Sequence, residues 1–130
     1  MAEVDFLKKR AEGFLANGKY DISKKEWPLA AFHLEQASQL YLKYYLYLKI
    51  RKFPKTHSLK ELLKGIGKVY KKQEKVEKIL KEKASTIGDL EQAYLTVRYL
   101  PVEFSKYQIE NMLNFTEDLI KFLENCEKRA

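Results

Sequence analysis

Arg51 and His57 stand on either side of Pro54, with five residues between them. Together they hold the two capacities that RNA phosphodiester cleavage needs when no metal takes part. Histidine titrates near neutrality and can move the 2′-hydroxyl proton, while an arginine fork can stabilise the crowded phosphate. The pair also fits a plainer role, in which His57 only helps a loop meet the next helix. Arg98-Tyr99 sets a planar cation beside an aromatic ring. That suits an anion or a stacked base, and equally the negative end of a helix dipole. Glu35-Gln36 lies inside an otherwise packed segment, Ala30 to Ala37. If buried, the two must be hydrogen-bonded, so they point to a contact that fixes helix register or to a dimer seam. His33 falls beside the apolar stripe and reads as structural or partly exposed.

Other chemistries lack their residues. The sequence has no glycine-rich phosphate loop, no His-Glu-x-x-His or Glu-x-x-His pair, and no serine elbow. With two histidines and Cys126 as the one cysteine, neither a thiolate cluster nor an intrachain disulfide can form. No metal or cofactor is expected, and the cysteine usage fits a reducing compartment. Lys+Arg 25 against Asp+Glu 18 gives a net charge of +7, with only four arginines among the cations. The excess favours an anionic partner, held by hydrated point charges more than by bidentate forks. Five of the nine tyrosines fall between Tyr20 and Tyr47. They suit base stacking, but at helical spacing they read first as core or oligomer interface. The lysine run from Lys68 to Lys83 reads as a solvated face.

These residues must be positioned by helices. Glycine and proline are scarce, at 5 and 3, and apolar residues recur at steps of three and four almost throughout. Val4, Leu7, Ala11, Phe14, Gly18 and Ile22 trace one stripe over residues 3–24, with Gly18 offering close approach to a neighbour. Pro28 opens a helix over 28–51, whose wide stripe of Ala30, Leu34, Ala37, Tyr41, Tyr44 and Leu48 predicts a central position. Ser58 and Glu61 have capping-box spacing ahead of a helix reaching Val69. A short helix falls between Tyr70 and Lys83. Thr86 is the expected cap of the next helix, which runs to Arg98 before Pro101. Ser105 and Gln108 are a second box ahead of the last helix, with Ile109, Met112, Leu113, Thr116, Leu119, Ile120 and Leu123. The whole predicts one all-α domain over 1–130: an antiparallel up-and-down bundle of four long helices and one or two short ones.

Several segments resemble the HEPN domain (higher eukaryotes and prokaryotes nucleotide-binding). They are Arg10-Ala11-Glu12-x-Phe14-Leu15, Tyr20-Asp21-Ile22, and Trp27-x-x-Ala30-Ala31-Phe32-His33-Leu34-Glu35-Gln36-Ala37 with Lys43. Pro54-x-Thr56-His57-Ser58-Leu59-x-Glu61-Leu62-Leu63 and Tyr94-Leu95-x-x-Arg98-Tyr99 continue the match in the family's order. The resemblance implies a helical bundle, commonly a homodimer, often working beside a minimal nucleotidyltransferase in a toxin–antitoxin-like pair. This chain lacks the Gly-Ser and spaced aspartates of such a transferase, so that partner would be a separate polypeptide. Many members are ribonuclease toxins carrying Arg-x(4–6)-His, a formula that Arg51 and His57 satisfy. The family's motif usually lies later in the domain, and no histidine follows Arg98 here.

The leading expectation is therefore a dimeric module that binds a nucleotide or RNA phosphate, through His57, Arg98 and Tyr99, and supports a transferase partner. A metal-independent endoribonuclease using Arg51 and His57 is the alternative, and a purely structural interaction domain is the third. Acidic residues in Met1–Asp5, where a secretory signal is basic, and a longest apolar run of only Tyr44–Leu48 predict a cytoplasmic chain with no membrane contact. The abundance of lysine and glutamate over amides resembles a thermophile's surface.

Overall fold

The computed structural model describes the backbone of residues 2–128 and the side chains of residues 5–128. Six helices occupy them and no strand is present among the described residues: α1 Ala2–Ser23, α2 Trp27–Ile50, α3 Leu59–Val69, α4 Gln73–Glu82, α5 Ala84–Thr96 and α6 Lys106–Lys128. Three have 22–24 residues and three have 10–13. Thus α3 and α5 complete the bundle where a fourth long rod was expected.

Helix α2 packs against α1, α3, α5 and α6, the central position that its wide apolar stripe predicts. Ala30, Leu34, Ala37 and Tyr41 are buried, while Tyr44 and Leu48 are half-buried where the stripe nears its end. In α1, Leu7, Ala11 and Gly18 are buried against α2; the Val4 side chain lies outside the described residues. A Cβ on Gly18 would stand 3.0 Å from Leu34 Cδ2, so the absent side chain sets how closely α1 and α2 approach. Ile109, Met112, Thr116, Leu119 and Leu123 line the buried face of α6. Thr116 Oγ1 donates to the Met112 carbonyl at 2.9 Å, so its single proton is used and Ser38 Oγ donates to Thr116 at 3.0 Å. This pair satisfies both buried hydroxyls across α2 and α6.

The caps follow the sequence with two differences. Ser105 and Gln108 form the reciprocal box: Gln108 N–H donates to Ser105 Oγ at 3.1 Å, and Ser105 N–H donates to Gln108 Oε1 at 2.8 Å. At α3, Glu61 N–H donates to Ser58 Oγ at 3.2 Å, but the return bond runs through Thr56. Ser58 N–H donates to Thr56 Oγ1 at 3.0 Å, and that hydroxyl donates to Glu61 Oε2 at 2.6 Å. Thr86 is not a cap. Helix α5 starts at Ala84 with Lys83 at its N-cap, and Ile87 N–H already bonds the Lys83 carbonyl at 2.9 Å. Lys83 alone separates the two helices: its N–H closes α4 on the Ile79 carbonyl at 2.8 Å while its own carbonyl opens α5, so Thr86 already lies inside the helix. Helix α5 also ends at Thr96, and Val97–Leu100 continue as a turn into Pro101, with Tyr99 and Leu100 N–H both bonded to the Thr96 carbonyl. No helix among the described residues is long and apolar enough to cross a membrane.

Candidate functional site

Helix α5 and the loop between α2 and α3 meet over one ring. His57 is exposed on that loop and stacks on Tyr94, with ring centroids 4.5 Å apart and planes at 24°. Arg98 lies one turn beyond Tyr94, so the helical period brings its guanidinium back over the same ring, Cζ to centroid 4.9 Å. Arg98 Nη2 also donates to the Tyr94 carbonyl at 3.0 Å, which satisfies an end carbonyl of α5 and holds the fork in place. Its Cζ stands 5.5 Å from the Phe32 ring on α2 and 5.2 Å from Tyr99. Tyr99 is 75% exposed. The site is thus an imidazole, a guanidinium and three aromatic rings, with His57 and Arg98 both exposed.

Glu91, one turn before Tyr94, pins the loop to α5. Its Oε2 accepts from Ser58 Oγ at 3.2 Å and from Lys60 N–H at 3.4 Å, so the first turn of α3 is filled by a carboxylate of the chain itself. Beneath it, Glu35 is fully buried on α2 and bonded on both oxygens, accepting from Gln36 Nε2 at 2.8 Å and Gln39 Nε2 at 2.9 Å. Burial pushes its carboxyl up from 4.5 to about 7. The two amides and Lys43 oppose that rise, and the nearby Glu91 charge adds to it. Lys43 is held below the ordinary lysine value by its own burial, with Glu35 opposing.

His33 faces the other way, towards α1. Its Nδ1 is paired with Asp21 Oδ2 at 2.5 Å, and its ring lies 5.9 Å from Phe14 and 5.8 Å from Phe32. Phe32 is therefore shared between His33 and Arg98.

The structure brings His57 and Arg98 together through Tyr94, and sets Tyr99 on the outer side of Arg98. It joins Glu35 to Gln36 directly. Arg51 stands apart: it is exposed at the end of α2 in the left-handed region, φ 61°, and no hydrogen bond, ion pair or ring contact joins it to His57. Five participants were not singled out as site residues from sequence: Tyr94, Phe32, Gln39, Glu91 and Asp21. Gln39 is four residues from Glu35, a spacing that marks one helix face. Glu91 and Asp21 carry no such local signal, because their partners lie on other elements.

The family model of the HEPN domain matches residues 4–126, which takes in α2 to α5, all but the outer ends of α1 and α6, the His57 loop and the Tyr94–Tyr99 segment. No curated protein and no solved structure matches the chain. With the helical architecture and nearly the full length of the sequence agreeing with that one family model, the chain belongs to the HEPN domain family.

Proposed function

We propose that this HEPN domain is a dimeric module that binds the phosphate of a nucleotide or RNA at the His57–Tyr94–Arg98 cluster and works with a separate nucleotidyltransferase. The observation that carries the reading is the Tyr94 ring shared by His57 and Arg98. Arginine donates a planar fork to phosphate oxygens, the exposed imidazole adds a second donor, and Tyr99 offers a face on which a base can stack. The dimer draws support from one row on α2. Phe32, Gln36, Leu40, Lys43 and Tyr47 repeat at steps of four, four, three and four and are only half-buried in the single chain. Phe32 belongs both to that row and to the Arg98 contact, so a second copy seated there brings two clusters to one cleft.

Titration with a labelled mononucleotide at increasing salt tests the binding. The reading expects salt-sensitive affinity that falls at least tenfold in Arg98→Ala and in His57→Ala. Undiminished binding in both variants removes the cluster from the function. Sedimentation of Leu40→Asp tests the dimer, the expected result being a monomer. Affinity capture followed by mass spectrometry tests the transferase. A dimer that binds no anion would leave only the structural interaction domain.

A second reading is a metal-independent endoribonuclease using His57 for proton transfer and Arg51 as phosphate clamp. It draws on the exposure of both side chains at the two ends of one loop. Arg51→Gly is the suitable variant, since glycine occupies the left-handed region without a Cβ penalty and the fold is retained. RNA incubated with chelator should be cleaved by the wild type and left intact by Arg51→Gly and His57→Ala. Equal cleavage by all three ends this reading.

A further inference from the structure

The charge of the chain is not spread evenly. Between Lys60 and Lys83 there are nine lysines and four glutamates, a net +5 out of the +7 of the whole chain. Helices α3 and α4 pack together there, with Leu62, Leu63, Ile66 and Val76 buried and the lysines turned outward. Between them and the start of α5 lies an open groove of about 880 Å³, whose polar walls are Lys60, Lys64, Lys78 and Lys81, with Glu77 and Glu82 among them. A solvated helix face needs no groove and no concentration of one sign.

We infer that the α3–α4 groove carries the backbone of a single nucleic-acid strand whose one end sits at His57 and Arg98. The inference rests on the phosphate-binding reading of that cluster, and deepens it from a mononucleotide to a strand. Continuity supports it. Lys60 lines the groove, and its N–H is bonded by Glu91, the residue that pins the His57 loop to α5, so the cluster and the groove share one border. Chemistry decides the occupant. The groove walls hold lysines and neither arginine nor an aromatic ring. Point charges attract phosphates without reading bases, so the contact is to the backbone and independent of sequence. Four lysines stand against two glutamates in the groove walls, an excess of the sign that attracts phosphates.

The test compares a mononucleotide, a four-nucleotide and a twelve-nucleotide single-stranded RNA, each titrated over a range of salt. Three proteins are used: the wild type, a groove variant (Lys60→Gln, Lys64→Gln, Lys78→Gln, Lys81→Gln) and a control (Lys8→Gln, Lys9→Gln, Lys19→Gln, Lys24→Gln) with the same loss of charge on α1 and the turn that follows it. Circular dichroism establishes that all three are folded. The inference expects the twelve-nucleotide strand to bind the wild type at least tenfold more tightly than the mononucleotide. The groove variant should lose that gain and flatten the slope of log affinity against log salt by about 3, from ~0.7 per phosphate contact. The control should keep the gain, and the groove variant should bind the mononucleotide as the wild type does. Equal loss in groove variant and control reduces the effect to net charge and overturns the inference. So does an affinity that does not grow with strand length. Loss of mononucleotide binding in Arg98→Ala reports on the cluster alone, so the two readings fail separately.

Discussion

His57 and Arg98 belong to different elements and meet on the ring of Tyr94, at 4.5 Å and 4.9 Å from its centroid. The Tyr94 ring thus ties the loop before α3 to the end of α5, beside the anchor that Glu91 provides. Replacing Tyr94 with alanine removes a ring–ring contact and a cation–π contact together. A loss of about 1–2 kcal/mol in stability is expected, measured by urea denaturation, with a larger proportional loss in nucleotide affinity. Tyr94→Phe keeps the ring and should behave as the wild type in both assays.

Glu35 makes the stability of the bundle depend on pH. Its carboxyl is raised to about 7 in the folded chain from 4.5, so between these values the folded state holds a proton that the unfolded state has released. Stability therefore falls as pH rises through that window, by ~2–3 kcal/mol between pH 5 and pH 8 from this group. Glu35→Gln should flatten the urea midpoint over the same range, because a neutral amide has no proton to lose. An unchanged slope in the variant would assign the pH dependence elsewhere.

Glycines 13 and 18 should respond differently to alanine. Nothing lies within 4 Å of a Cβ at Gly13, so Gly13→Ala gains ~0.5–1 kcal/mol of helix propensity. At Gly18 the added carbon meets Leu34 Cδ2 at 3.0 Å and Cγ at 3.2 Å, on a side chain that is fully buried. Gly18→Ala should forfeit the gain, and Gly18→Val should cost about 1–3 kcal/mol by overpacking. Thermal melts of the three variants check the signs.

The Asp21–His33 pair ties α1 to α2. Asp21→Ala leaves a half-buried imidazole nitrogen without its acceptor, and a loss of about 1–3 kcal/mol is expected in chemical denaturation. His33→Ala in the same background should cost little more, since the interaction is already gone; additive losses in that double-mutant cycle would mean the two residues act separately.

Whatever depended on neighbours in the chain was legible before any coordinates. The stripes of α2 and α6, the break at Pro54, the Ser105–Gln108 box and the close approach at Gly18 all follow from residues within one or two turns of each other, where the helical period dictates who faces whom. Thr86 shows the limit of that logic. A good capping residue was overruled because α4 runs into α5 through Lys83 alone, which leaves Thr86 inside the helix. Tertiary structure alone decided the candidate site. Whether His57 and Arg98 share a surface depends on how α5 is rotated about its axis and on where Glu91 anchors the loop. The raised carboxyl of Glu35 depends on how much water the four helices around α2 exclude. Such contacts join residues far apart in sequence, through packing angles that no local spacing encodes.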